Sequence, residues 1–377
     1  MPPSITPAPA LVDACPGVLT LHEAADGALA RIRIPGGAVT RDGLTALVFA
    51  ATEFGDGGLD LTSRANVQIR AIDTSERTAL ADVLSASGLL PSATHERVRN
   101  IVASPLAGLD ARGDDVSDIV AALDRDLCAR AALADLPGRF LFAVDDGRGD
   151  VAALGADVTL VSRGDHVLVE SVEVPRAEAV AFALALAEAF LAVRAEQGSS
   201  VWRIAELEGG VAALLDRVAA GMRRVLLLAG AEPPAGVVAQ PDGRVALVVL
   251  VPFGRLLPAH LTFLTGITAD RGVRFTPWRS VVVPDMIDAT EAAATAAALG
   301  LGVDADSPWY RVSACTGRPG CAKALADVRA DATAQLVQWP GKQVRWSGCE
   351  RRCGRPHDTD VDVIATADGY HVVAGSR

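Results

Sequence analysis

Aromatic side chains are scarce in this sequence: they make up 4% of its 377 residues, with five tryptophans and two tyrosines. Half of the residues are hydrophobic, much of that half being alanine. Small and aliphatic side chains must therefore build the core, and the composition reads as a helix-rich α+β protein. Positive charge is also in short supply. Lysine and arginine number 35 against 46 aspartates and glutamates, a net charge of −11, which argues against general nucleic-acid binding. An anionic ligand must then be met by arginines arranged locally. Long apolar runs are missing too: the longest, 179–193, is interrupted by Glu188 and is too short to cross a bilayer. The opening MPPSITPAPALVDACPG has neither the basic nor the apolar segment of a secretory signal. A cytoplasmic protein with no membrane or nucleic-acid partner is expected. No G-x-G-x-x-G follows a strand-like run, so no Rossmann-type dinucleotide domain is expected.

What is present repeats. DGALARIRIP (26–35) is similar to DGRVALVVLVP (242–252), and both run into a glycine, Gly37 and Gly254. A helical pattern follows each. The first has Thr40 as N-cap, Leu44, Leu47, Val48 and Ala51 on one face, and Gly55 as a stop; the second carries Leu257, Leu261, Leu264 and Thr268. Next come strands with a threonine, LDLTSRANVQIRAI (59–72) and VRFTPWRSVVV (273–283), then a further helix in each copy. More faintly, ADVTLVSRGDHVLV (156–169) matches VDVIATADGYHVVA (361–374), aligning Asp157 with Asp362 and His166 with His371. EPPAG (232–236) reads as the link between halves. The order is module A, module B, then a second A and a second B.

In 59–72 the period is two. Leu59, Leu61, Ala65, Val67, Ile69 and Ala71 face one way, and Thr62, Arg64, Asn66, Gln68 and Arg70 the other. Arg31 and Arg33 alternate similarly with Ile32 and Ile34. Such a strand is either the solvated face of an antiparallel sheet or a donor-rich floor for a large anion, where the planar guanidinium fork grips carboxylates at two points.

Four of the six cysteines, Cys315, Cys321, Cys349 and Cys353, fall in the last 63 residues as C-x5-C-x27-C-x3-C. In a reducing compartment such crowding suggests metal ligation over disulfides. Four thiolates suit a 4Fe–4S cluster or tetrahedral zinc, although zinc pairs are usually two to four residues apart. Arg318, Arg351, Arg352 and Arg355 stand close by in sequence and would answer either the cluster or a separate anion. Cys15 and Cys128 read as packing residues.

The cysteine spacings, the doubled layout and TSRANVQIR, with RNIVASPLAGLD (99–110) and LPGRFLFAV (136–144), resemble the sulfite and nitrite reductase superfamily over nearly the whole chain. That resemblance implies an internally duplicated α+β architecture of two ferredoxin-like half-domains and two α+β modules. The units would be 1–90, 91–231, 232–304 and a cluster-binding 305–377. It also implies a 4Fe–4S cluster on Cys315, Cys321, Cys349 and Cys353 beside a tetrapyrrole. Within the superfamily, ACPGVLTLHEAADGALARIRIPGG, DLTSRANVQIR, FTPWRSVVVP and ACTGRPGCAKAL look like the precorrin-3B synthases. These would use O2 to hydroxylate precorrin-3A at C20 and close a γ-lactone. The cationic positions of the sirohaem reductases map onto Arg64, Arg99, Arg139 and Leu141, the last a lysine in their pattern; Trp278 and Arg279 also replace their usual polar residues. Both departures lean towards a tetrapyrrole substrate. A sirohaem-dependent sulfite or nitrite reductase and a zinc-stapled tetrapyrrole carrier remain the alternatives.

Under each enzymatic reading, Arg31, Arg33, Arg64, Arg70, Arg99, Arg139 and Arg279 are candidate carboxylate partners, with Asn66 and Gln68 as further donors. Trp278 or Phe140 would cover the ring. Electrons must come from an external ferredoxin or flavoprotein. A mononuclear non-haem iron would want histidines and a carboxylate, for which Pro356-His357-Asp358 is the most suggestive run; a surface loop is its plainer reading.

Overall fold

The computed structural model describes residues 15–219, 230–356 and 358–374. They form four sheets in two pairs, and the duplication expected from the sequence is present. The first A unit has strands His22–Ala24, Gly27–Ile32, Leu59–Leu61 and Val67–Ile72, backed by helices Arg41–Phe54 and Arg77–Ala86. The second has Gly236–Ala239, Val245–Leu250, Val273–Phe275 and Ser280–Met286, with helices Pro258–Ile267 and Thr290–Ala298.

Each A sheet is completed by a short strand from the other copy. Arg255–Leu256 pairs with Asp60 and Leu59, while Ala38–Val39 pairs with Arg274 and Val273. Because of this exchange, both A units share one aliphatic core, in which Leu44, Leu47 and Ile69 meet Leu261, Leu264 and Phe275. Burying that common face is what joins the two halves.

Local signals account for the helix ends. Thr40 Oγ1 accepts from Gly43 N at 3.1 Å, satisfying a free N–H of the first turn. In the second copy the helix begins at Pro258, so Leu257 is its N-cap and is exposed. It is not on the buried face where the spacing put it, because proline is accommodated at the first helical position.

The run 59–72 is not one strand. It folds into a hairpin in which Thr62 N bonds to Asn66 O, with Ala65 at φ +56°. Alternation survives on either side of the turn, which hid it from the sequence. Arg64 therefore sits on a turn, and Arg70 lies beyond a bulge where Ala71 has φ +60°.

The B units each have three parallel strands followed by an antiparallel one. These are Ile101–Ala103, Phe142–Asp145, Val158–Arg163 and His166–Val169 in the first, which adds Val172–Pro175. The second uses Val312–Ala314, Val344–Ser347, Val361–Thr366 and Gly369–Ala374. The hairpin registers, Arg163↔His166 and Thr366↔Gly369, correct the sequence alignment of these segments by two residues. Asp157 corresponds to Asp360, not to Asp362. Leu141 N donates to the Asp157 carboxylate at 2.9 Å, and Gln343 N to that of Asp360 at 3.0 Å. A slip of two residues keeps every side chain on its own face, so the wrong register looked self-consistent. His166 and His371 are both exposed and do not correspond. No helix among the described residues is long and apolar enough to cross a membrane.

Candidate functional site

The four clustered cysteines converge. Cys315 follows the strand Val312–Ala314, and Cys349 follows Val344–Ser347, its parallel neighbour. All four line one cavity of about 240 Å³, with His22, Leu29, Arg70 and Ser347 also in its wall. Parallel pairing brings the two loops to the same sheet edge, where Gly348 N donates to Cys315 Sγ at 3.1 Å. Backbone packs closely there. A Cβ on Gly348 would come within 2.8 Å of Ala324 Cβ, and one on Gly320 within 2.7 Å of Thr316 Cγ2. Tetrahedral zinc with 2.3 Å bonds would hold its sulfurs about 3.8 Å apart. No three of these sulfurs lie within 4.8 Å of one another. An all-thiolate cradle with wide spacing fits a cluster better than one zinc ion.

Of the neighbouring arginines, Arg352 lines the cysteine cavity, 3.9 Å from Asp362, and the others are turned elsewhere. Arg355 Nε bonds to the Asp362 carboxylate at 2.8 Å, and Arg318 Nε to Ala324 O at 2.8 Å. Arg351 is exposed. The cation buried against the thiols is one that the sequence did not single out, Arg345, which donates to Cys353 O. His357 lies outside the described residues.

A second cavity, of about 480 Å³, adjoins the first and shares His22 and Leu29 with it. Arg31, Arg64, Asn66, Gln68 and Arg139 line it. Gln68 Oε1, with its amide oriented to satisfy both groups, accepts from Arg31 Nη2 at 2.6 Å and Nε at 2.9 Å. Arg64 Nη1 donates to Gly138 O at 3.2 Å. Arg139 stacks over the Trp202 ring at 4.8 Å. Burial lowers the pKa of Arg31, and brings that of Arg64 down to about 10, with repulsion from Arg203 as its next cause. Both are charges held out of water, suited to receive carboxylates. Cys15, His22 and Trp202 also line the cavity. Sequence reading missed them, because no spacing ties them to the arginines; only the quoted ACPGVLTLHE carried a signal for Cys15 and His22.

Other candidates stand apart from this cavity. Arg33 is buried and holds the carbonyls of Pro16 and Arg97 at 3.0 and 3.1 Å. Arg99 is locked to Asp124 through two 2.7 Å bonds, anchoring the helix Ser117–Ala129. Arg70 grips Asp26 at 2.8 Å and Gly320 O at 3.0 Å, tying the first A unit to the cysteine loop. Phe140 is fully buried against Phe142 and Phe190; it belongs to the core and cannot cover a ligand. Arg279 and Trp278 line a third cavity of about 450 Å³, which shares Ser63 with the arginine cavity.

The first B unit shows what occupies the place corresponding to the cysteine cradle. Ser104 N bonds to Val144 O as Cys315 N bonds to Trp346 O. Asp146 N donates to Ser104 Oγ as Gly348 N donates to Cys315 Sγ. The loops from Ser104 to Asp114 and from Cys315 to Leu325 have equal length, which puts Asp110 where Cys321 stands. Here Arg148 is clamped by Asp110 at 2.8 Å and Asp146 at 2.6 Å. Asp145, Asp146 and Asp150 bring carboxylate oxygens within 4.8 Å of one another. However, Asp145 accepts from the N–H groups of Gly147, Gly149, Val151 and Ala152. The counter-cation of this knot is a guanidinium of the chain itself.

The model of the nitrite/sulfite reductase ferredoxin-like half domain matches residues 22–87. The Mycobacterium tuberculosis NirA protein superimposes with a TM-score of 0.68 at 22% identity, over 92% of this chain and 73% of that one. The chain thus has the fold of that sulfite/nitrite reductase-type protein, and its residues 22–87 carry the ferredoxin-like half domain. Among named relatives, a precorrin-3B synthase of Sinorhizobium sp is 25% identical across 96% of this chain and 82% of the relative. The ferredoxin–nitrite reductase of Synechococcus elongatus is 28% identical across 89% and 76%.

Proposed function

We propose that this protein is a precorrin-3B synthase-like monooxygenase. In this reading it hydroxylates precorrin-3A at C20 with O2 and forms the γ-lactone of aerobic cobalamin synthesis. The observation that carries the reading is the adjacency of the two cavities: a four-thiol cradle shares His22 and Leu29 with a chamber lined by Arg31, Arg64 and Arg139. A carboxylate-rimmed macrocycle would set its acid groups on those guanidiniums, with Asn66 and Gln68 beside them. Trp202, held by Arg139, would cover an apolar face of the ring. A 4Fe–4S cluster on Cys315, Cys321, Cys349 and Cys353 would supply single electrons. The balance needs O2, two electrons and two protons: one oxygen atom enters the substrate and the other leaves as water. The electrons come from an external ferredoxin or flavoprotein. The units 1–90, 91–231, 232–304 and 305–377 are proposed as the repeating modules that build this site.

Leu141 supports the choice over a sirohaem reductase. It is buried in an apolar cluster with Ala65, Val102 and Ala143 and offers no proton to a metal-bound anion. Nitrite reductase likeness of similar strength keeps that activity as the second reading. Anaerobic purification followed by an absorption spectrum separates them, since a tightly bound sirohaem would overturn the first. The direct assay supplies precorrin-3A, oxygen and a reductant, and looks by mass spectrometry for one added oxygen atom.

A further inference from the structure

Arg345 is a buried cation and Arg279 a half-buried one, and neither is ion-paired to a carboxylate among the described residues. Arg345 is 3% exposed and lies inside the strand Val344–Ser347. Its guanidinium donates to Cys353 O, and its Nε has no partner. Arg279 is half-buried in the wall of the third cavity, and its side chain has no hydrogen-bond or ion-pair partner among the described residues. It also holds φ at +60°, a left-handed conformation that costs a residue with a Cβ. The two guanidiniums feel one another, and Arg345 feels the thiols of Cys315 and Cys353. Arg329, the third cation of the group, is answered by Asp60 at 3.3 Å.

The duplication supplies an internal control. Arg345 precedes Trp346 as Ala143 precedes Val144, and those two residues accept the equivalent bonds from Cys315 and Ser104. Arg279 N bonds to Thr276 O as Ala65 N bonds to Thr62 O. The half without the four clustered cysteines thus has alanine at both positions, inside an apolar cluster with Val102 and Leu141. The strand pairings put Ser313 where Val102 stands. A buried and a half-buried charge, neither ion-paired, replace an aliphatic patch only where the thiols are. Unpaired buried charge is strongly unfavourable, so a permanent anion beside it is the physical explanation.

We infer that Arg345 and Arg279 are the built-in counter-cations of the thiolate-bound cluster, holding its reduction potential up. The inference rests on the cluster reading above. Arg345 acts at close range on Cys315 and Cys353, and Arg279 acts behind it.

The test compares wild type, Arg345→Met, Arg345→Lys and Arg279→Ala, purified without oxygen. Iron and sulfide are counted, and the cluster's midpoint potential is taken from a redox titration followed by electron paramagnetic resonance. Arg279→Ala installs the residue that the other half carries at the same backbone angle, which protects folding. The expected order of potentials is wild type and Arg345→Lys highest, Arg279→Ala lower, Arg345→Met lowest. Thermal stability is measured on the same proteins after removing iron with a chelator. The methionine and alanine variants are then expected to match or exceed wild type, because an unpaired charge has gone. Unchanged potentials in both variants, with full clusters, would overturn the inference. Absence of iron and sulfide from wild type would instead overturn the cluster reading itself.

Discussion

The two B units solve one problem in opposite ways. Each has the same parallel strands and the same pair of loops at the sheet edge, and each must fill the space between those loops. The first fills it from within, with the Arg148 guanidinium clamped by Asp110 and Asp146. The second lines it with four thiols and buries Arg345 behind them. One half closes its charge balance with its own side chains. The other leaves the Arg345 guanidinium with a carbonyl of the cysteine loop and no carboxylate. The comparison teaches that the cradle is distinguished less by its backbone, which is shared, than by the sign of the charge left over.

The largest expected effect breaks the cysteine side alone. Cys315→Ser should abolish iron and sulfide binding and with it the precorrin-3A turnover proposed above, while the first half stays folded; Ser104→Ala, its counterpart across the duplication, should leave the iron content unchanged. Normal turnover by the serine variant would remove the cluster from the mechanism. Next, Arg148→Met should lower stability by about 3–5 kcal/mol, since it strands buried carboxylates. Urea unfolding would measure the loss, and iron analysis would show whether the second half is spared.

A smaller effect concerns the A units. Their hairpins correspond, with Arg64 in the place that Trp278 takes in the second copy. Removing a charged hydrogen-bond partner costs about 1.5–3 kcal/mol, so Arg64→Ala should weaken macrocycle binding roughly ten- to a hundredfold. Trp278→Ala should change it much less. Equal losses in a fluorescence titration with a carboxylated porphyrin would mean that the second and third cavities form one site.

A graded effect, spread over about three pH units, is expected in the acidic knot. Burial, then the neighbouring charge of Asp145, push the Asp150 carboxyl up to about 7, despite a hydrogen bond from Ser104. An unfolded aspartate titrates near ~4. Between those values the folded chain keeps a proton that the unfolded chain releases. Stability should therefore fall as pH rises from about 4 to about 7, by up to about 1.4 kcal/mol per unit. Asp150→Asn should flatten that slope in denaturation curves taken across the range; an unchanged slope would assign it to other groups.

Much of this molecule was legible in its residues. Two copies of a glycine-ended strand announced the duplication, and C-x5-C with C-x3-C announced the cradle. Arg31, Arg64, Asn66 and Gln68 were marked by alternation, a purely local signal. Arg33, Arg70 and Arg99 carried the same chemistry and were bound elsewhere, because a guanidinium's role depends on which carbonyl or carboxylate packs against it. Phe140 and the register of Asp157 were misread for a related reason: period-two patterns fix the face of a strand but not its partner.

By itself, then, the sequence determined the ligand-bearing residue types, the repeat and the faces of the strands, since these follow from short-range spacing. Tertiary structure alone decided that the A sheets exchange strands, that His22 and Leu29 join two cavities, and that Arg345 stands unpaired behind the thiols. Those depend on residues far apart in the chain meeting in one place. The arginine inside VRWSGC carries no local signal; the fold buries it beside the cysteine loop and leaves it no carboxylate.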